Sequence, residues 1–158
     1  MTKDQFRKAL LSPIKLKVFL LQRLPMAALA GLRLISFECG MAEVLVKYGY
    51  WTKNPFRSIY FAVLAMAAEL STGVLVYYHT QFKKRKVSIL VTNLEAEYYK
   101  KAKGRVRFVC DLSEVNGFFN DLENELEEGF EAKLTSRGFN EKNELVAEFA
   151  LTWSMKYK

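Results

Sequence analysis

The stretch Ile59-Tyr60-Phe61-Ala62-Val63-Leu64-Ala65-Met66-Ala67-Ala68-Glu69-Leu70-Ser71-Thr72-Gly73-Val74-Leu75-Val76-Tyr77-Tyr78 carries a single charged side chain, Glu69. Its apolar residues occupy every side of a helix rather than one stripe, the pattern of a helix buried all round. The expected helix spans Arg57–His79, and the basic run Lys83-Lys84-Arg85-Lys86 beyond it complements the negative end of the helix dipole. A run of about 20 apolar residues can also cross a bilayer. Here a carboxylate near the middle, followed by Ser71, Thr72 and Gly73, would cost several kcal/mol in lipid, and both flanks read as soluble strands. The stretch is therefore expected at the centre of a soluble domain.

Upstream of it, Asn54-Pro55 signals a turn. Leu32–Phe37 and Ala42–Tyr48 form an expected hairpin around Cys39-Gly40-Met41. Its second strand places Ala42, Val44, Val46 and Tyr48 on one face. Further back, Thr2-Lys3-Asp4-Gln5 has the form of a capping box, and Ser12-Pro13 starts a second helix with proline at its first position. Ile14, Val18 and Leu21 recur there at helical spacing, Lys15, Lys17 and Arg23 face elsewhere, and Pro25 ends the helix. Residues 1–25 thus read as a helical extension, packed as a lid on the domain edge. The alternative is a basic helix lying on anionic lipid.

Downstream, Val87–Leu94 and Arg105–Asp111 read as strands, and Asn116-Gly117 as a turn. Phe118, Leu122 and Leu126 fall at four-residue steps on a short acidic helix. Phe130–Arg137 and Leu145–Tyr157 close the chain as a hairpin whose last strand alternates Leu145, Ala147, Phe149, Leu151, Trp153 and Met155 with polar residues. Six strands and one helix too apolar for any surface require the sheet to curl around that helix. The expected fold is α+β, a single domain over residues 1–158.

The net charge of +7 is unevenly distributed. Residues 1–57 contribute +7 and 58–110 contribute +6, whereas 111–158 contribute −6. An acidic end interrupts any continuous track for nucleic acid, and no zinc spacing, helix-turn-helix pattern or basic-aromatic interleave is present. Cys39 and Cys110, far apart in sequence, read as small apolar core residues in a reducing compartment. Lys3, Arg7 and Lys8 ahead of Ala28-Leu29-Ala30 resemble a leader, but the apolar run Val18–Leu21 is shorter than the roughly seven to fifteen residues a signal core needs. A cytoplasmic protein is expected.

His79 is the sole histidine, and its place near the helix end suits capping or a surface role over catalysis; no histidine elsewhere could complete a nucleophilic triad, and no ligand cluster suggests a metal. Glu69 admits two readings from the residues alone. Burial raises a carboxylate's pKa towards neutrality, which suits a general base, or the group bonds a neighbouring backbone or tyrosine and is structural.

Residues 54–73 resemble the central segment of hotdog-fold thioesterases of the phenylacetate-degradation type. That pattern runs Asn, His-Gly-Gly, an apolar turn, then an acidic residue preceded by Ala. Asn54 matches the Asn and Glu69 the acid behind Ala67-Ala68, and Phe149-Ala150-Leu151-Thr152-Trp153 fits the closing strand. The resemblance implies a hotdog fold, with a curved antiparallel sheet of about six strands wrapped around the long helix. It implies a homodimer, or a pair of dimers, hydrolysing a fatty or aromatic acyl-CoA, with Glu69 as base or nucleophile and Asn54 positioning the carbonyl. Tyr60, Phe61 and Ala62 stand where the family has His-Gly-Gly, whose backbone N–H polarises the thioester carbonyl. Ala62 can still offer an amide there, while Phe61 adds a ring. Lys83, Lys84 and Arg85, or the group Lys100, Lys101, Lys103 and Arg105, would either contact coenzyme A phosphates or form solvated faces. No metal and no resident cofactor are expected, coenzyme A entering only with the substrate. The alternative is a non-catalytic acyl-CoA- or lipid-binding hotdog protein that has lost the oxyanion site.

Overall fold

The computed structural model describes residues 2–38, 40–83, 85–114 and 122–158. Cys39, Lys84, the Asn116-Gly117 turn and Phe118 lie outside the described residues. Three short helices open the chain: α1 (Lys3–Leu11), α2 (Pro13–Arg23) and α3 (Pro25–Leu29). Strands β1 (Arg33–Phe37) and β2 (Met41–Lys47) follow, then the long helix α4 (Phe61–Thr80). After it come β3 (Val87–Tyr98), β4 (Arg105–Asp111), a 3-10 turn, α5 (Leu122–Glu128), β5 (Phe130–Phe139) and β6 (Leu145–Tyr157).

The strands make one antiparallel sheet in the order β1-β2-β4-β5-β6-β3. Helix α4 lies against β2, β4, β5 and β6, so the sheet wraps the apolar helix as expected. Every second residue of the inner strands faces it: Val44 and Val46 on β2, Phe108 on β4, Leu134 on β5, Phe149 and Leu151 on β6 are buried. Cys110 is buried in the same core.

Two buried polar contacts set the rotation of α4. Ser71 Oγ lies 2.7 Å from Ser136 Oγ on β5. Trp153 Nε1 on β6 donates to Thr72 Oγ1 at 3.1 Å. Each is worth about 1 kcal/mol net, and losing one partner strands the other without solvent, so the rotation is well specified. With Ser71 and Thr72 turned to the sheet, a stripe formed by Ala62, Ala65, Met66, Glu69 and Gly73 is only half-buried, and Phe61 and Tyr77 at its ends are exposed. Within one chain the helix is thus not covered on every side.

The helix begins four residues later than the apolar run suggests, at Phe61 rather than Arg57. Backbone groups ahead of it are already committed to other partners. Asn54 N–H donates to Ser58 C=O (2.9 Å), Ile59 N–H to Ala102 C=O (2.8 Å) and Tyr60 N–H to Thr52 C=O (2.8 Å). Arg57 sits in the left-handed region at φ 60°. At the far end the helix runs one residue past His79, with Thr80 Oγ1 donating to Val76 C=O at 2.7 Å.

The extension has the expected capping box at Thr2 and Gln5 and proline at the start of α2. Its orientation differs from the sequence reading. Leu16 and Leu20 are the buried residues of α2, while Ile14, Val18 and Leu21 face outward. The lid is anchored instead by Phe6 and Leu10 of α1, with the Phe6 ring packed among Tyr77, Tyr78 and Phe82. Both apolar sets have helical spacing, so periodicity could not choose between them.

Strand β3 is longer than expected and pairs only with β6, leaving its other edge without a partner among the described residues. Leu90 and Leu94 on it are exposed.

Packing is tight where β4 meets β5. A methyl group on Gly138 would lie 2.7 Å from the Phe108 ring, which is fully buried. Gly138→Ala is expected to lower stability by about 1–3 kcal/mol, as overpacking does. Gly49→Ala, where a methyl group meets nothing within 4 Å, should change stability far less. Urea unfolding midpoints of the two variants check this; equal midpoints would refute the packing.

Candidate functional site

The loop between β2 and α4 is built around two polar side chains. Thr52 Oγ1 accepts from Gly49 N–H at 2.8 Å and donates to Lys47 C=O at 2.8 Å. Asn54 Oδ1 accepts from the N–H groups of Phe56 (3.0 Å) and Ser58 (3.2 Å), and its Nδ2 donates to Ser58 Oγ (3.0 Å) and Ile59 C=O (3.4 Å). The Asn54 amide is thereby spent on holding the loop that presents the helix start.

Tyr60 caps α4 with an extended backbone and no side-chain cap. Its carbonyl accepts from Val63 N–H (2.9 Å) and Leu64 N–H (3.3 Å). The N–H groups of Phe61 and Ala62 have no acceptor among the described residues. Phe61 lines a groove of about 540 Å³, and Ala62, the next residue of the helix, lies outside its lining. Phe56, Tyr60 and Phe61 contribute rings from the helix side, Tyr98 and Tyr99 contribute rings from the end of β3, and Lys100 and Lys101 add positive charge. Tyr60 and Phe61 pack edge to face at 4.8 Å. The groove combines an apolar aromatic lining, cations and unpaired donors at the positive end of a long helix. That set suits a ligand with an apolar part and a polarisable or anionic oxygen.

Asn54, Tyr60 and Phe61 line this groove; Ala62 and Glu69 do not. Helical rise places it about 12 Å further along α4 than Phe61. The Glu69 side chain accepts no hydrogen bond from any described residue, and burial pushes its carboxyl above the usual carboxylate range. Two neighbours shape its position. A methyl group on Gly73 would lie 3.0 Å from the Trp153 ring and 3.3 Å from Glu69 Oε1, so glycine keeps open the space between indole and carboxylate. The sequence reading passed over Gly73 and Trp153 in this role. Trp153 is remote in sequence, and its only signal was an inward place on the last strand. Ser71 and Thr72 tie the helix to the sheet.

The basic groups divide into two sets. Near the groove, Lys100 pairs with Glu144 at 2.7 Å, and Lys100 with Asn140 holds that carboxyl below its usual range. Arg105 pairs with Glu141 at 2.7 Å. At the other end of α4, Arg85 Nη1 donates to both carboxylate oxygens of Glu127 (2.7 and 2.9 Å), and the guanidinium lies 4.7 Å above the Tyr157 ring. Lys83, Arg85, Lys86 and Lys158 line a second groove of about 310 Å³ there, beside Tyr77. One chain therefore does not bring Lys83 and Arg85 to the aromatic groove. His79 packs edge to face on Tyr78. Among the described residues no group of three or more His, Cys, Asp or Glu side chains could hold a metal.

Comparison with solved structures places this architecture. A protein of unknown function from Pseudomonas aeruginosa, described as a probable thioesterase, superposes with a TM-score of 0.75 at 26% identity, over 93% of this chain and 97% of that one. A thioesterase from Haemophilus influenzae superposes at 0.70 with 13% identity, over 92% of this chain and 91% of that one. The PaaI protein from the phenylacetic acid degradation operon of E. coli superposes at 0.66 with 12% identity, over 86% of this chain and 87% of that one. No curated protein sequence matches significantly. The fold is the hotdog fold of thioesterase-like proteins, as the resemblance of residues 54–73 implied. The family model described as a domain of unknown function (DUF4442) matches residues 14–155, and the chain belongs to that family.

Proposed function

We propose that this protein is an acyl-CoA thioesterase acting as a homodimer. The observation that carries the reading is the Phe61 amide, with no acceptor among the described residues, beside an aromatic groove, at the start of a helix whose one acid is half-buried and accepts no hydrogen bond from a described residue. Free N–H groups at a helix start are suited to a developing oxyanion. An isolated carboxyl with a raised pKa is suited to moving a proton near neutral pH.

The dimer follows from two uncovered surfaces, the half-buried stripe of α4 and the unpaired edge of β3. A long edge strand with exposed Leu90 and Leu94 invites pairing with a second copy about a two-fold axis. Antiparallel pairing sets the start of the partner's β3 beside the end of this one. Lys83 and Arg85, just ahead of the partner strand, then approach the groove that Tyr98 and Tyr99 line. Coenzyme A phosphates would meet those cations, and the acyl group would enter the aromatic groove. The facing helices would bring Glu69 of one chain towards the helix start of the other.

In this site Glu69 takes a proton from water as the water oxygen bonds to the thioester carbon. The carbonyl oxygen becomes an oxyanion held by the amides of Phe61 and Ala62. When the carbon–sulfur bond breaks, the thiolate takes the proton back from Glu69, giving a free acid and coenzyme A. Direct attack by the Glu69 carboxylate, with water opening the resulting anhydride, has the same balance. The reading puts the protein in the cytoplasm, with acyl-CoA esters and a reduced Cys110.

A second reading, an acyl-CoA- or lipid-binding protein without hydrolysis, rests on one observation. The exposed Phe61 ring stands at the helix start, where it narrows the approach to the amides.

Glu69→Gln separates these readings and has a double signature. It is expected to lower acyl-CoA hydrolysis at least about a hundredfold, the usual scale for a general base. Burial raises the pKa in the folded state, so the folded protein holds a proton that the unfolded chain has lost. Wild-type stability therefore falls as pH rises from the ordinary glutamate range through the raised value, and the variant escapes that loss. Glu69→Gln should be more stable than wild type at neutral pH, with the gap closing in acid. Hydrolysis by the variant at the wild-type rate would remove Glu69 as the base. A wild type inactive across an acyl-CoA panel from mildly acid to mildly alkaline pH would favour the binding protein.

Sedimentation at micromolar concentration is expected to show a dimer at least. A monodisperse monomer would refute the composite site.

A further inference from the structure

Helix α2 has two apolar faces. Leu16 and Leu20 face the domain and are 6% and 2% exposed. Ile14, Val18 and Leu21 lie roughly opposite, at 77%, 48% and 56% exposed. At about 100° per residue, Lys15 and Lys17 fall on the two flanks of that outward stripe. Helix α3 packs against α2 and adds Met26 and Leu29, both exposed. An outermost apolar ridge between two lysines is the arrangement of a helix lying in a membrane interface, with side chains in the acyl boundary and ammonium groups at the phosphates.

The charge of the extension indicates what covers this ridge. Residues 3–29 hold Lys3, Arg7, Lys8, Lys15, Lys17 and Arg23 against one acid, Asp4. Arg7 is engaged with Glu38 at 2.9 Å, whereas Lys15, Lys17 and Arg23 have no carboxylate partner among the described residues. A second copy meeting this face through the same face would bring like charges together around the apolar contact. An anionic bilayer offers opposite charge and apolar depth together. We propose that α2 and α3 dock the folded protein on anionic lipid surfaces through Ile14, Val18 and Leu21, with Lys15 and Lys17 at the phosphates. The docking face is distinct from the groove at the start of α4 and does not depend on the thioesterase reading.

Co-sedimentation of the full chain with vesicles tests this. Vesicles of phosphatidylcholine with about a quarter phosphatidylglycerol should bind the protein, and phosphatidylcholine alone should bind it at least about tenfold more weakly. Binding should weaken at 1 M salt, where charge is screened within about 3 Å. The triple variant Ile14→Ser, Val18→Ser, Leu21→Ser and the double variant Lys15→Glu, Lys17→Glu should each lose at least about tenfold in binding. Because the altered side chains point outward, circular dichroism and melting temperature should stay at wild-type values. Equal binding to neutral and anionic vesicles, or undiminished binding by either folded variant, would overturn the proposal. So would absence of vesicle binding, including the case in which the wild type forms an assembly that the triple variant reduces in size, since the ridge then covers a second copy.

Discussion

The contacts of Ser71 with Ser136 and of Trp153 with Thr72 decide which way the central helix faces. A helix apolar on all sides has no amphipathic stripe to orient it, so hydrophobic burial alone leaves its rotation weakly specified. Two hydrogen bonds in a dry core supply the missing direction, because another rotation strands the Ser136 hydroxyl and the Trp153 indole N–H, while Ser71 and Thr72 keep their bonds to carbonyls of their own helix. Once Ser71 and Thr72 face β5 and β6, Glu69 and Gly73 must lie on the stripe that one chain leaves half-covered. The position of the buried acid is a consequence of that orientation.

Glycine at position 73 belongs to the same arrangement. It leaves space between the Trp153 ring and Glu69 Oε1 that any side chain would fill. The ring and the surrounding apolar residues keep solvent from the carboxylate, which raises its pKa by burial. At the other end of the stripe, the Thr52 and Asn54 loop draws the backbone of residues 58–60 away from helical bonding, so the helix starts abruptly and leaves the Phe61 and Ala62 amides open. Glu69 and the helix-start amides thus share one helix, separated by about 12 Å of helical rise. Such a separation is too great for one reacting carbon to meet both in one chain. In the proposed homodimer, antiparallel central helices would remove it.

Much of this architecture was legible in the sequence because its signals are local. Alternation in β2, β4 and β6, the all-round apolarity of α4 and the capping box at Thr2 each depend on neighbouring residues, and each has its counterpart in the structure. Glu69 stood out as the lone acid in an apolar helix, and Asn54 as the turn before it. Features set by distant residues were not legible. Ala102, more than forty positions on, takes the Ile59 amide that would otherwise lengthen α4. In α2, Ile14, Val18 and Leu21 have as good a helical period as Leu16 and Leu20, and only the packed domain shows which set is buried. The Asn54 amide looked like a substrate-positioning group, yet its hydrogen bonds close the loop. Trp153 could be placed inward by alternation, but not against Glu69 and Gly73.

The central claim is that Glu69 and the helix-start amides act together across two chains. Subunit mixing measures this directly. Ala62→Pro removes one open N–H at a first-turn position where proline is tolerated, and Glu69→Gln removes the base. Each variant alone should be nearly inactive towards an acyl-CoA that the wild type hydrolyses. After subunit exchange in equal amounts, half the dimers are mixed, and each mixed dimer carries one intact composite site, so activity should return to about a quarter of wild type. Mixed dimers that form, as shown by differently tagged subunits co-purifying, yet recover no activity would contradict the account.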